Sequence, residues 1–332
     1  MTKPKKIILA GGNGFLGSNL ARHLVARGYE VVVLSRRFNT QTEPYRIAFW
    51  DGVTKGPWCD ELEGAHAVIN LSGRSVDCRY NAKNRGHIME SRLFSTRILA
   101  RAIHDAKAPP AYFVNAASAT IYADTRGNTP ANDEVNGIIG DGFSVTVCKE
   151  WEAEFNRWTL KQTHKVCLRI AITLGNNAGA MVPLKNLARL GLGGPQGPGT
   201  QFISWLHIDD FCGIVEAILE GHLKGALYNC ASPNPMMNRD FMRALREHAG
   251  GIGNHIGIPM PRWLLEIGAR MIQTETELIL KSRKVVPRKL LEEGYNFKYP
   301  ELRPALSTFF KKTQDEMIGK QTGFLHSAPA EN

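Results

Sequence analysis

No stretch of roughly 18 consecutive apolar residues occurs in the 332-residue chain, which argues against a helix built to span a bilayer. The amino-terminal residues carry no long apolar signal core, so a cytoplasmic protein with no membrane partner is expected. No CxxC pair exists among the six cysteines, and several of them sit in apolar runs. They read as small buried hydrophobes in a reducing compartment, neither a disulfide frame nor a metal site. Long basic runs and nucleic-acid-binding motifs are missing too, although the net charge is +10. Nucleic acid is therefore not an expected partner, whereas the phosphates of a nucleotide are. There is no internal repeat. A hydrophobic content of 43% and a charged content of 22% suit a globular chain, one large domain or a larger one with a smaller companion.

What is present begins with residues 5–17, KKIILAGGNGFLG. The apolar run Ile7, Ile8, Leu9, Ala10 predicts a buried parallel strand. Gly11, Gly14 and Gly17 follow at three-residue spacing, and the pattern over 18–27 predicts an amphipathic helix. Gly11 allows a sharp turn, Gly14 lets a diphosphate approach bare backbone, and Gly17 lets helix and strand pack closely. Asn13, Phe15 and Leu16 are candidate contacts beside them. The helix start points N–H groups and a positive dipole end at an anion. A second apolar run at 31–34 lies where a βαβ unit returns, so dinucleotide binding is expected.

Strands are predicted over 6–10, 30–35, 45–50, 67–71, 111–116 and 165–172, with helices notably over 85–106 and 145–160. Such alternation predicts an α/β fold, a doubly wound parallel sheet with helices on both faces. Ligands then bind at the carboxyl ends of the strands. After Gly175 the composition shifts, with a Gly/Pro loop at 191–199. Residues 205–210 lead into an apolar helix over 211–220 and a strand over 226–230 that returns to the first sheet. The expected organisation is a nucleotide-binding domain at 1–175 with 205–232, a smaller, mostly helical carboxyl-terminal substrate lobe at 176–204 and 233–315, and a frayed tail at 316–332.

The end of the second strand separates NAD from NADP. An acid there would hydrogen-bond a free ribose 2′-hydroxyl and repel a 2′-phosphate. The chain carries Ser35, Arg36 and Arg37 instead. Guanidinium forks grip phosphate oxygens and Ser35 can donate another bond, so NADP(H) is expected. Trp50 and Asp51 either reach the adenine or serve as a core aromatic and a cap. Leu71, Ser72 and Gly73, after Asn70, let the dinucleotide backbone pass close to the fourth strand.

Together these residues resemble the extended, epimerase/dehydratase-like branch of the short-chain dehydrogenase/reductase superfamily. Residues 11–17 are similar to its GxxGxxG, 70–73 to its NNAG-type element and 118–122 to its SAT-x-Y element. Closer still is the resemblance to the epimerase family proteins named as nucleoside-diphosphate-sugar epimerases. It includes Ser91-Arg92, Cys148 with Trp151-Glu152, residues 191–195, 205–210 and 286–290, and Gly294-Tyr295. The resemblance covers nearly the whole chain. It implies a Rossmann-type fold, a small carboxyl-terminal lobe, bound NADP(H) and a catalytic role for Ser118.

One departure matters. The superfamily uses Tyr-x-x-x-Lys, with the phenol as proton donor or acceptor. None of the eight tyrosines here has Lys four residues on. Alignment on Trp151-Glu152 puts Ser144 and Cys148 at the two places. Tyr122, the phenol nearest Ser118 in sequence, either supplies the missing acid or packs in the core. Lys149 either lies a helical step from the cofactor ribose or faces solvent. Arg79 and Tyr80 face either a substrate or solvent. Arg169, in an apolar strand, is expected to be paired inside the fold. His207, Asp209 and Asp210 are expected to cap the following helix and touch the cleft floor; their spacing fits no zinc motif. Two functions stand: an NADP(H)-dependent oxidoreductase or nucleotide-sugar epimerase acting on a small molecule such as a nucleotide sugar or carbonyl compound, or an NADP(H)-binding redox sensor or scaffold with little catalysis. By analogy a homodimer would form through 85–106 and 145–160.

Overall fold

The computed structural model describes residues 4–37, 44–176, 179, 181–249, 256–263, 265–266, 275 and 277–310. The tail expected at 316–332 lies outside the described residues. Seven strands form one sheet in the order β10-β6-β5-β4-β1-β2-β3. They are β1 (Lys6–Ala10), β2 (Glu30–Ser35), β3 (Arg46–Phe49), β4 (Ala67–Asn70), β5 (Tyr112–Ser118), β6 (His164–Ile170) and β10 (Leu227–Cys230). Every neighbouring pair is parallel, with Ala10 opposite both Leu34 and Asn70 and Ser118 opposite Ile170. This is the doubly wound, Rossmann-type sheet that the alternation predicts.

Period-two alternation sorts the side chains. Ile7, Leu9, Val31 and Val33 point to one core, and Ile8, Ala10, Val32 and Leu34 to the other. Helices α1 (Phe15–Ala26) and α5 (Ile208–Leu219) cover the first face. Helix α2 (Ala82–Asp105) and Phe155 of α3 (Phe143–Asn156) cover the second. Each fully buried Leu, Ile or Val here contributes roughly 1.5–3 kcal/mol through apolar burial.

The strand expected over 165–172 is in fact two. At Ala171, whose N–H bonds to Cys230 O, the chain leaves the main sheet, and β7 (Ile172–Leu174) pairs with β9 (Trp205–His207). A continuous apolar run cannot reveal such a change of sheet. A further small pair joins β8 (Phe202–Ile203) to β11 (Met236–Met237). The expected return of 226–230 is observed, as β10 on the edge beside β6. Beyond it, α6 (Asn238–Ala249) packs with α4 (Met181–Arg189) and the helix Leu302–Phe310. Because the main strands are all parallel, Gly11, Ser35, Trp50, Leu71 and Ser118 follow strand ends on one edge of the sheet.

Candidate functional site

The glycine loop divides its labour. Gly11 has φ +82°, and a Cβ there would lie 2.7 Å from the Leu71 carbonyl carbon. At Gly17 a Cβ would lie 2.3 Å from Gly11 O, so only glycine lets α1 seat on this turn. Gly12, which the spacing argument passes over, is equally constrained: a Cβ would meet Val33 at 2.6 Å. Gly14 differs. It is the N-cap of α1, and the nearest atom to an added Cβ is Gly11 O at 3.4 Å. No side chain caps the helix and no acid occupies its first turn, so its positive end is open to an anion. The Phe15 ring packs over Gly175, and Leu16 is half-buried against the core.

Asn13 Nδ2 donates to Ser35 Oγ at 2.7 Å, tying the loop to the end of β2. Ser35 is buried, and its hydroxyl donates to Arg37 O while accepting from Arg37 N–H. The donor expected to meet a phosphate is thus engaged locally; Ser35 shapes the turn that presents Arg36 and Arg37. Both arginines are exposed, and no acid accompanies them at the strand end.

Trp50 is only 4% exposed and packs edge-on to Trp58 at 5.5 Å, which makes it a core residue rather than an adenine platform. Asp51 accepts from the N–H groups of Val53 and Thr54 at 2.8 Å, a turn cap. On the other side of β1, Asn70 donates to Asn115 Oδ1 and accepts from Ser72 N–H. Thr96 and Trp151 extend that buried polar ladder. It fixes the 71–73 loop, where Ser72 Oγ is buried with no partner among the described residues. Gly73 lies under the Arg92 guanidinium, 3.3 Å from the place a Cβ would take.

Further along the same edge, Ser118 ends β5, half-buried, and its Oγ accepts from Thr120 N–H. Cys148 of α3 packs in one buried cluster with Ala119, the residue after Ser118, and burial pushes its thiol up to about 11. One helical turn earlier, Ser144 Oγ donates to Glu277 Oε2 at 3.4 Å. Tyr80 packs edge-on to Phe143 at 5.1 Å, and burial raises its pKa. A tyrosine from outside α3 thus packs on Phe143, the residue before Ser144.

A family model described as "NAD dependent epimerase/dehydratase family" matches residues 7–139, and one described as "Domain of unknown function (DUF1731)" matches 260–309. The epimerase family protein SDR39U1 of Bos taurus is 36% identical over 306 residues, covering 91% of this chain and 98% of its own. The epimerase family protein YfhF of Bacillus subtilis is 27% identical over 310 residues, covering 91% and 96%. A crystal structure of human SDR39U1 (isoform 2) with NADPH has a TM-score of 0.79 at 31% identity, covering 92% of this chain and 98% of that one. The chain belongs to the epimerase family proteins. UDP-N-acetylglucosamine 4-epimerase of Bacillus cereus, 16% identical with a TM-score of 0.70 over 98% of this chain and 99% of its own, shares the fold.

Further residues of this epimerase family protein are held by partners within the fold or face solvent. Tyr122 is fully buried, and its hydroxyl is held by Asp133 O, Asn229 Oδ1 and Arg169 Nη1 at 2.8–3.0 Å. It braces the core. Lys149 is exposed on α3 beside inward-facing Cys148. Arg169 is paired as expected, bidentate to Glu152 at 2.8 Å. His207 caps α5 through Nδ1, and buried Asp210 accepts from the N–H groups of Lys298 and Tyr299. Arg79 faces Glu275 at 3.5 Å. Among the described residues no cluster of three or more His, Cys, Asp or Glu could hold a metal, and no helix is long and apolar enough to cross a membrane.

Proposed function

We propose that this chain binds NADP(H) along the carboxyl edge of the sheet and performs hydride-linked chemistry on a carbonyl compound or sugar hydroxyl held between that edge and the lobe formed by 176–204 and 233–315. The observation that carries the reading is the open, uncapped start of α1 at Gly14 on the same edge as Arg36 and Arg37. The residues fit the cofactor. Gly14 leaves room for a diphosphate, and the partnerless Ser72 Oγ offers a polar contact beside Gly11. Arg36 and Arg37 match a ribose phosphate. The SDR39U1 structure with NADPH supports the same choice.

NADP(H), when bound, supplies or accepts the hydride at its nicotinamide ring. The chain's residues handle position and protons. Ser118 Oγ already accepts from Thr120 N–H, so its own proton is free for a substrate oxygen. Tyr80, kept protonated by burial, suits a general acid better than a base. Cys148, with its raised pKa, stays a neutral wall of the site. A homodimer through α2 and α3 belongs to the same proposal; an exposed aromatic on α2, Phe94, supports it.

The second reading, an NADP(H) sensor with little turnover, is supported by Ser144 and Cys148 standing where the superfamily keeps its phenol and amine. Titration with NADPH and NADH, followed by nicotinamide absorbance with panels of carbonyls and nucleotide sugars, tests both. Arg36→Asp should weaken NADPH at least roughly tenfold more than NADH, since a charged hydrogen bond contributes about 1.5–3 kcal/mol. Equal losses would refute the phosphate assignment. NADPH bound tightly without turnover would favour the sensor.

A further inference from the structure

A second charged feature lies in the carboxyl-terminal part of the chain. Arg283 is only 9% exposed, yet its Nε and Nη2 are sealed from water and have no hydrogen-bond partner among the described residues. Its backbone is fixed: the N–H donates to Phe202 O and the carbonyl accepts from Ser204 Oγ. Its neighbour Val285 packs with Cys148 in one buried cluster. The guanidinium shares its surroundings with Cys148, Tyr80, Glu277 and Asp124, and burial lowers its pKa. Arg92 faces the same two residues, Cys148 and Tyr80, from α2. Its Nη1 donates to Arg74 O and Ile88 O, while the plane lies over Trp151 at 5.1 Å. Both guanidinium groups thus have Cys148 and Tyr80 as electrostatic neighbours, and among the described residues no carboxylate forms an ion pair with either.

We propose that Arg283, with Arg92, forms a subsite for a substrate carboxylate next to Ser118, an assignment that rests on the cleft described under the proposed function. A buried charge with an unmade fork is costly, and natural folds keep one where a ligand completes it. Nε and Nη2 form one edge of the guanidinium, two parallel donors matched to the two oxygens of a carboxylate. A phosphate dianion fits less well. It brings more oxygens than this edge has donors, and Glu277 and Asp124 repel a second negative charge. Cys148 shares one buried cluster with Val285 and with Ala119, the residue after Ser118, which puts the carboxylate near the reacting oxygen. Ser118, Tyr80 and Arg92 are each half-buried, the side from which a ligand would reach the guanidinium. The substrate class is therefore a carbonyl or hydroxyl compound that carries its acid group close to the carbon that changes oxidation state.

The test uses the full chain with and without saturating NADPH. Acetate and benzoate are titrated against their amides and inorganic phosphate, and binding is read by calorimetry and thermal shift. The two carboxylates should bind and raise Tm, and the amides should not. Arg283→Lys, which keeps charge but loses the fork, should weaken benzoate at least roughly tenfold. Arg283→Met should abolish the carboxylate response and also raise the Tm of the unliganded protein, because an unpartnered buried charge is gone. That gain separates a binding role from a structural one, and it shows that the variant is folded. A carboxylate response unchanged in Arg283→Met, a response to phosphate alone, or none in wild type with NADPH bound would overturn the subsite and leave the cofactor reading standing. Failure of NADPH itself to bind would sink the cofactor reading, while the carboxylate titrations without it still decide the subsite.

Discussion

Asn13 and Ser35 are joined side chain to side chain at 2.7 Å across 22 residues of sequence, so the glycine loop and the arginine-bearing end of β2 move as one piece. The contact ties together two parts of the proposed cofactor site that the sequence presents as separate motifs. Asn13→Ala removes it without touching a backbone bond. NADPH affinity should fall by about 0.5–1.5 kcal/mol, the usual net value of one such hydrogen bond. Fluorescence titration of the nicotinamide reads this directly, and an unchanged Kd would show that the two segments are positioned independently.

Gly14 and Gly17 should separate under mutation. Gly17→Ala forces a Cβ to 2.3 Å from Gly11 O and 2.6 Å from Gly12 Cα, both backbone atoms that cannot step aside. Overpacking of this kind costs roughly 1–3 kcal/mol, and urea denaturation should show it. Gly14→Ala meets only Gly11 O, at 3.4 Å, so stability should hold while NADPH affinity falls. A stable Gly17→Ala protein would contradict the packing role.

Tyr80 and Tyr122 should answer opposite assays. Tyr80→Phe removes the proposed acid, and turnover should drop about 10²–10⁴-fold while NADPH binding stays unchanged. Tyr122→Phe strips a partner from Asp133 O, Asn229 and Arg169, and should cost about 1–3 kcal/mol of stability with the chemistry intact. If Tyr122→Phe abolishes turnover in a protein of normal stability, the acid has been misassigned.

The cap of α5 predicts a pH response. His207 is buried between Tyr299 and Phe309, with Thr308 on Nε2 and the Asp209 N–H on Nδ1. Burial, the largest influence, lowers its pKa from 6.5 to about 4. The unfolded chain therefore binds a proton over pH 6.5 to 4 that the folded chain refuses. This contribution to stability is complete above pH 6.5 and is lost as pH falls through about 4, of the order of 3 kcal/mol in all. His207→Asn keeps a capping oxygen and should flatten denaturation midpoints across that window. An equal slope in both proteins would assign the effect to other groups.

Much of the scaffold was legible. The bounds expected for β1 and β2 are those observed, because β-branched runs between glycines and charged residues admit few other readings. The glycine loop, the acid-free end of β2 and the pairing of Arg169 followed from residue chemistry alone. Other features could not. Trp50 has the same sequence neighbours whether its ring faces cofactor or core, and only Trp58, eight positions on, settles it. Gly12 is dictated by Val33 on a neighbouring strand. Tyr80 reaches Phe143, and Val285, two residues past Arg283, reaches Cys148, across separations that no local periodicity encodes. Ser35 looked like a free donor because the carbonyl it bonds, two residues away, is invisible in composition.

The placement of β10 beside β6 bears on how the molecule can be divided. Its edge strand is delivered only after the chain has travelled out through α4 and back through α5. Cutting after residue 175 would strip β6 of a parallel neighbour and bare a row of unpaired amides and carbonyls, an invitation to self-association. The nucleotide half is thus not a detachable cassette. Any insertion, fusion joint or expression boundary that respects the folding unit must fall beyond Cys230.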